Sequence, residues 1–280
     1  MKSKLKLLTL GLLLAVSAAA EAASTCNLFL VGGTCTFATD TTSGQTLFQN
    51  PANLSNIGSG VITPFLSLQN NGSEGGVSTD DPTVNTLPLD DKRDNTNTFT
   101  TTFQLNQLGT ITLSGIDYFA FFLDINEPNG GGQNLLSLDT LRIWGRSGTS
   151  GETAPFMLNN TNVTSLADLD LIPNLQLVYA MGPGNELIMD YNLFAGSGLG
   201  YDLRVLVPTS AFIGLAADSR ILFSSSFGGA GVPAGVDAAD GFEEWAYLPG
   251  TFAFAAPEPG SLGLLAAALL PLIVLRRRRK

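Results

Sequence analysis

The chain has 280 residues, 14 basic against 24 acidic side chains, no histidine and only two cysteines. Without histidine there is neither the usual base of serine and cysteine nucleophile sites nor the commonest transition-metal ligand. The acidic balance repels phosphate backbones and excludes nucleic acid as a partner.

At the N-terminus, Lys2, Lys4 and Lys6 precede an apolar run, Leu7 to Ala20, that ends in the small-residue stretch Ala18-Ala19-Ala20-Glu21-Ala22-Ala23. This layout predicts a secretory signal peptide over 1–22, cut by signal peptidase after Ala22, with Ala20 as the competing site. The apolar run is shorter than the roughly 20 residues a membrane span needs. Cys26 and Cys35 follow at once, flanking Leu28-Phe29-Leu30-Val31 and the turn Gly32-Gly33. In an oxidising compartment they are expected to form one local disulfide across a hairpin or loop, contributing roughly 2 to 3 kcal/mol. From Phe48 to Asn97 the pattern is irregular, and the acidic runs Asp80-Asp81-Pro82 and Asp90 to Asp94 read as exposed.

Period-2 alternation then dominates. In 98–105, Phe99, Thr101, Phe103 and Leu105 share one face, opposite Thr98, Thr100, Thr102 and Gln104. Further strands are expected at 110–113, 118–125, 138–144, 175–181, 186–193, 201–207, 221–227 and 242–247. The stretch 118–125 is apolar almost throughout, as a central strand covered on both faces would be. Glu127-Pro128-Asn129-Gly130-Gly131-Gly132, Gly182-Pro183-Gly184-Asn185, Gly196-Ser197-Gly198 and Gly228-Gly229 read as turns. One short helix is expected within 208–217, capped by Thr209 or Ser210. Many short strands with almost no helix predict an all-β body over 23–255, an antiparallel β-sandwich of jelly-roll-like kind.

Chemistry is sparse. Lys92 is the only lysine between the terminal segments, and no Gly-rich stretch carries the G-K-[ST] of a phosphate loop. A carboxylate glycosidase would need two acids across a cleft, for which Asp124 with Glu127, or Asp240 with Glu243 and Glu244, are the candidates. No cofactor is expected and no metal-ligand set is assigned. The one candidate cation is a structural calcium at Asp124, Asn126, Glu127 and Asn129 beside three glycines, although their spacing departs from the EF-hand pattern.

The C-terminus is the most specific part. Ala255-Ala256 lead into Pro257-Glu258-Pro259, then Gly260-Ser261, an apolar run from Leu262 to Leu275, and the cluster Arg276, Arg277, Arg278, Arg279 and Lys280. Two prolines stop helix from running back through the motif, which favours an extended, accessible peptide. Residues 260–275 are expected to form a transmembrane helix, with the five cations as a stop-transfer signal held in the cytoplasm. The order of these parts resembles the PEP-CTERM sorting signal of exosortase substrates, here over 256–280. The resemblance implies that exosortase reads the motif, cuts near it and moves the protein onward. The catalytic residues of that step belong to the partner. Phe122 to Glu127 with Leu135 to Asp139, and Asp240 to Trp245, also resemble the β-rich ectodomains found ahead of this anchor.

Eight of the 14 basic residues lie in the terminal segments, and Glu21 is the one acid in the leader. With Glu258 counted in the body, six cations face 23 acids, a net charge near −17. Together these features predict a non-enzymatic exported protein of a Gram-negative bacterium. Its precursor is expected to be tethered to the inner membrane, and the mature form to sit at the cell surface or in the extracellular matrix, in contact with exopolysaccharide. One alternative is a carbohydrate-binding module that presents Trp144 or Trp245 on one face; the second is the carboxylate glycosidase.

Overall fold

A computed structural model describes residues 24–30, 32–37, 45–50, 64–80, 100–127, 134–146, 156, 165–194, 201–229, 236–239 and 241–250. The leader 1–22, the sorting motif Pro257-Glu258-Pro259, the span 260–275 and the basic tail lie outside them. Among the described residues no helix is long and apolar enough to cross a membrane.

Along the chain the strands are β1 (Thr25–Leu28), β2 (Thr34–Cys35), β3 (Leu47–Gln49), β4 (Leu66–Leu68), β5 (Asn71–Gly72), β6 (Glu74–Val77), β7 (Phe103–Gln104), β8 (Thr110–Leu113), β9 (Ile116–Ile125) and β10 (Leu135–Arg146). After the one-turn helix α1 (Leu166–Leu169) come β11 (Leu175–Ala180), β12 (Glu186–Asp190), β13 (Leu203–Pro208), β14 (Arg220–Phe227), β15 (Ala238–Ala239) and β16 (Glu243–Tyr247). The described body is therefore almost all β, in two seven-stranded sheets and one two-stranded ribbon. The first sheet runs β1-β12-β10-β14-β6, with β11 also on β10 and β7 also on β14. The second runs β2-β3-β13-β9-β16-β4, with β8 also on β9. β1 joins β12 in parallel, whereas the long central pairs β10–β14, β13–β9 and β16–β9 are antiparallel.

β9 is the central strand its composition implies. Phe121, Leu123 and Ile125 enter the main core, while Tyr118, Ala120 and Phe122 pack on the other face with Tyr201 and Leu206. Alternation along β13 likewise sends Leu203, Val205 and Val207 into the main core and Leu206 to the opposite side. The two sheets meet across that core through aromatic contacts. Phe223 of β14 lies 5.3 Å from Phe121 and 4.7 Å from Trp245, which belong to the other sheet. Trp245 also donates its indole N–H to Ser225 Oγ at 2.9 Å, so its one polar atom is satisfied in the interior. Each such aromatic pair contributes about 0.5–1.5 kcal/mol beyond area burial.

Four expectations need correcting. The strand predicted over 98–105 shrinks, among its described residues, to Phe103–Gln104, and Leu105 begins a 3-10 turn. The competitor is Asp80, whose carboxylate accepts bonds from Thr101 Oγ1 (2.7 Å), Thr102 N (3.0 Å), Thr102 Oγ1 (2.5 Å) and Phe156 N (2.7 Å). Far from being uniformly exposed, the stretch 64–80 forms β4 to β6 and buries Phe65, Leu66, Leu68 and Val77. The strand expected over 186–193 stops at Asp190, and Tyr191–Phe194 continues as a 3-10 turn. The short helix expected within 208–217 forms as a 3-10 turn, Thr209–Phe212, but its N-cap is Pro208 rather than Thr209 or Ser210, with no side-chain cap bond. Among the described residues the α-helix is α1, where the N–H and hydroxyl of Ser165 both donate to Asp168 at 2.8 and 3.0 Å.

Candidate functional site

Cys26 and Cys35 are bonded, with Cα atoms 6.2 Å apart, inside the usual range for a disulfide. They are local in sequence, yet β1 and β2 do not pair with each other. β1 is the edge of the first sheet and β2 the edge of the second, so the bond closes a seam between sheets. The chain enters that seam under restraint: Ser24 N and Oγ both donate to Asn185 Oδ1 at 3.1 Å, and Glu186 N donates to Ser24 O at 3.0 Å.

The second feature is a concentration of acids at one pole, and register explains it. Glu243 stands opposite Ile125 in the β16–β9 ladder and opposite Leu68 in β16–β4, so it shares the inward face with Trp245 two residues on. Glu74 stands opposite Phe227 in β6–β14, and the Phe227 and Trp245 rings stack 6.5 Å apart. Both glutamates have 0% exposure. The β5–β15 ribbon borders this pole, held by Glu127, which accepts from Ala239 N (2.9 Å) and Gly241 N (3.0 Å). Asp202, just before β13, accepts from Ile125 N at 2.8 Å.

Burial dominates the electrostatics. It pushes the Asp202 carboxyl up to about 8, with repulsion from Asp124 adding to it and the Ile125 N–H opposing. Burial first, then a hydrogen bond with Glu74 and repulsion from Glu74, Glu127 and Asp202, holds Glu243 well above the usual carboxylate range. Tyr191 is raised to about 12 by burial and then by Glu127, Glu243 and Asp190. Among the described residues these cations are engaged elsewhere: Arg142 pairs with Asp170 at 3.0 Å, Arg204 bonds Gln49 Oε1 at 2.7 Å, and Arg220 lies 4.0 Å from Asp80.

No family model, curated protein or solved structure matches the chain. The residues themselves therefore decide what the site can do.

Neither tryptophan is presented to solvent, which corrects the condition attached to sugar binding. Trp245 is in the inter-sheet core. Trp144 is sealed on the outer face of the first sheet by Phe156, Leu169 and Leu175, with its N–H on Asp170 Oδ1 at 2.8 Å. Of the candidate carboxylates, Glu127 is taken up by the backbone amides of Ala239 and Gly241. Glu243 and Glu244 are neighbours in one strand and point to opposite faces, and Asp240 lies outside the described residues. Of the calcium candidates, Asp124 has the Asn126 side chain within hydrogen-bonding reach, Glu127 binds those two backbone amides, and Asn129 is outside the described residues. Among the described residues no group of three or more acids or cysteines is placed to hold a metal ion.

Sequence reasoning read Asp80 as part of an exposed run, whereas its carboxylate is largely buried on Thr101, Thr102 and Phe156, and it passed over Glu74 and Asp202. Glu74 sits beside two glycines and Asp202 beside Tyr201, contexts that read as turn and strand edge. The alternation of 201–207 with Leu203 inward does place Asp202 on the opposite face, which is the one signal that points to its contact with β9.

Proposed function

We propose that this chain is an exported surface protein, sorted by exosortase through Pro257-Glu258-Pro259 and serving as a non-enzymatic structural or matrix component of an exopolysaccharide-rich Gram-negative envelope. Signal peptidase removes 1–22, and residues 260–275 hold the precursor in the inner membrane with Arg276 to Lys280 inside. The body is a jelly-roll-like β-sandwich. Its neighbours β6-β14-β10-β12 on one side and β9-β13 on the other support that order, as does a chain that changes sheet from β9 to β10 and again along β12, β13, β14 and β16.

The observation that carries this reading is the Cys26–Cys35 bond. A single disulfide that staples the edge strands of two sheets is suited to a compartment where thiols are not kept reduced. It lies shortly beyond Ala22, where the sequence places the leader's end. The buried tryptophans and the inward carboxylates favour a structural role over sugar stacking or glycoside hydrolysis.

The test is delivery in a Gram-negative host with and without its exosortase. The reading requires surface or matrix protein only when exosortase is present, and retention in the inner membrane for a variant with Pro257, Glu258 and Pro259 changed to alanine. Equal surface delivery of that variant would refute it.

A further inference from the structure

The acid pole has an interior that ionised carboxylates alone do not satisfy. Glu243 is fully buried, and no donor reaches either of its oxygens. The side chain within hydrogen-bonding reach of it is another carboxyl, Glu74, so a bond between them needs a proton. Glu74 comes from the opposite sheet, and one of its oxygens, Oε2, already accepts the Asn70 N–H at 2.8 Å. Two carboxyl groups bond to each other only if a proton lies between them.

Among the described residues no cation acts on Glu243 in place of that proton. The titratable groups that face Glu243 are Glu127 from the end of β9, Asp202 from the start of β13, Tyr191 from the turn after β12, and Glu74 itself. All are acidic or neutral. Arg142, Arg204 and Arg220 are committed to Asp170, Gln49 and the Asp80–Thr102 region, and Arg146 lies over the Phe156 ring at 5.6 Å. Two like charges in one buried site cannot both be held without a compensating ion.

We propose that Glu74 and Glu243 share a proton across the core and form an inter-sheet latch, which holds the acid pole closed while the proton is kept and loosens it when the proton is lost. The latch and the Cys26–Cys35 staple join the same two sheets at different places. The staple lies at the β1/β2 edges; the latch joins β6 to β16, whose Glu74 and Glu243 neighbour Phe227 and Trp245 in register. Proton loss would set two charges facing one another in the core, so alkaline conditions free this pole while the stapled seam stays shut. This inference does not depend on the sorting assignment.

The sign follows from linkage. A folded state that keeps a proton the unfolded chain releases is most stable at low pH, and loses stability as pH rises above the ordinary glutamate value of 4.5 toward the folded one. For one proton, the unfolding equilibrium constant rises about tenfold per pH unit in that window. The experiment is urea unfolding of the disulfide-intact mature body between mild acid and alkaline pH, in an Asp202→Asn background so that Asp202 does not titrate. Glu243→Gln, which keeps a hydrogen-bond donor toward Glu74 without a titrating proton, should flatten the slope and be the more stable protein at alkaline pH. Glu74→Gln neutralises the pair from the other sheet and should do the same, which covers the case in which one variant fails to fold. In the parent protein at neutral pH, infrared difference spectra against either folded variant should show the band of a neutral carboxyl. An unchanged slope in the folded variants, or no such band, overturns the latch. So does loss of stability at neutral pH on adding a calcium chelator, because a cation would then neutralise the cluster.

Discussion

Reducing the Cys26–Cys35 bond should release the seam between the sheets. The bridge closes a loop with a sequence separation of 9, for which chain-entropy reasoning gives about 2.7 kcal/mol at room temperature. For a body of this size that corresponds to a fall in Tm of roughly 5–10 °C. The location adds a local effect. β1 is held by a four-residue parallel ladder to β12 and by the bonds of Ser24 to Asn185. Without the bridge it should open independently of the core strands β9, β10 and β14. Calorimetry with and without a reductant measures the first effect, with thiol titration to verify reduction. Hydrogen exchange of residues 25–28 against 118–125 measures the second. A fully reduced protein with unchanged Tm and unchanged protection of β1 would refute the seam role.

Asp202→Asn keeps an acceptor for the Ile125 N–H and removes the titrating group. Because burial raises Asp202 from 3.8 to about 8, its folded form favours the proton. The parent protein should lose up to about 1.4 kcal/mol per pH unit from this residue across that window, and the variant should not; a pH series of urea midpoints compares them. Asp80→Ala leaves two buried backbone or hydroxyl donors of Thr102, and the Phe156 N–H, without their carboxylate. It should cost about 3 kcal/mol or more in chemical denaturation, and a loss below about 0.5 kcal/mol would contradict the clamp. Gly241→Ala would place a Cβ 2.5 Å from Asn126 O and 2.6 Å from Glu127 Cα, both backbone atoms. The expected cost is about 2–3 kcal/mol, with new amide exchange concentrated at 125–127 and 238–243.

Much of the framework was legible because burial and period agree. The apolar run 118–125 became the doubly covered β9, and the alternation of 201–207 reappears in β13 with Val205 and Leu206 on opposite faces. Where side chains compete for the backbone, the pattern misled. Thr98 to Leu105 alternates like a strand, but Asp80 takes the Thr101 and Thr102 hydroxyls and the Thr102 N–H. Glu74-Gly75-Gly76-Val77 carries no strand signal, yet its backbone pairs with Ser224 to Phe227. The facing of β16 was legible, since alternation with Trp245 and Tyr247 puts Glu243 on the inward face and Glu244 on the other, but nothing local says that a carboxylate there is fully buried. The disulfide partners were plain from their spacing. That they lie in different sheets depends on the parallel docking of β1, a long-range pairing with no local signature.

Mass spectrometry of both ends of the mature protein, recovered from the surface of a host with an active exosortase, tests the sorting account most directly. The account requires an N-terminus at Ala23, or at Glu21 for the competing site, and a C-terminus that has lost Arg276 to Lys280. Recovery of the intact tail from surface protein would contradict it.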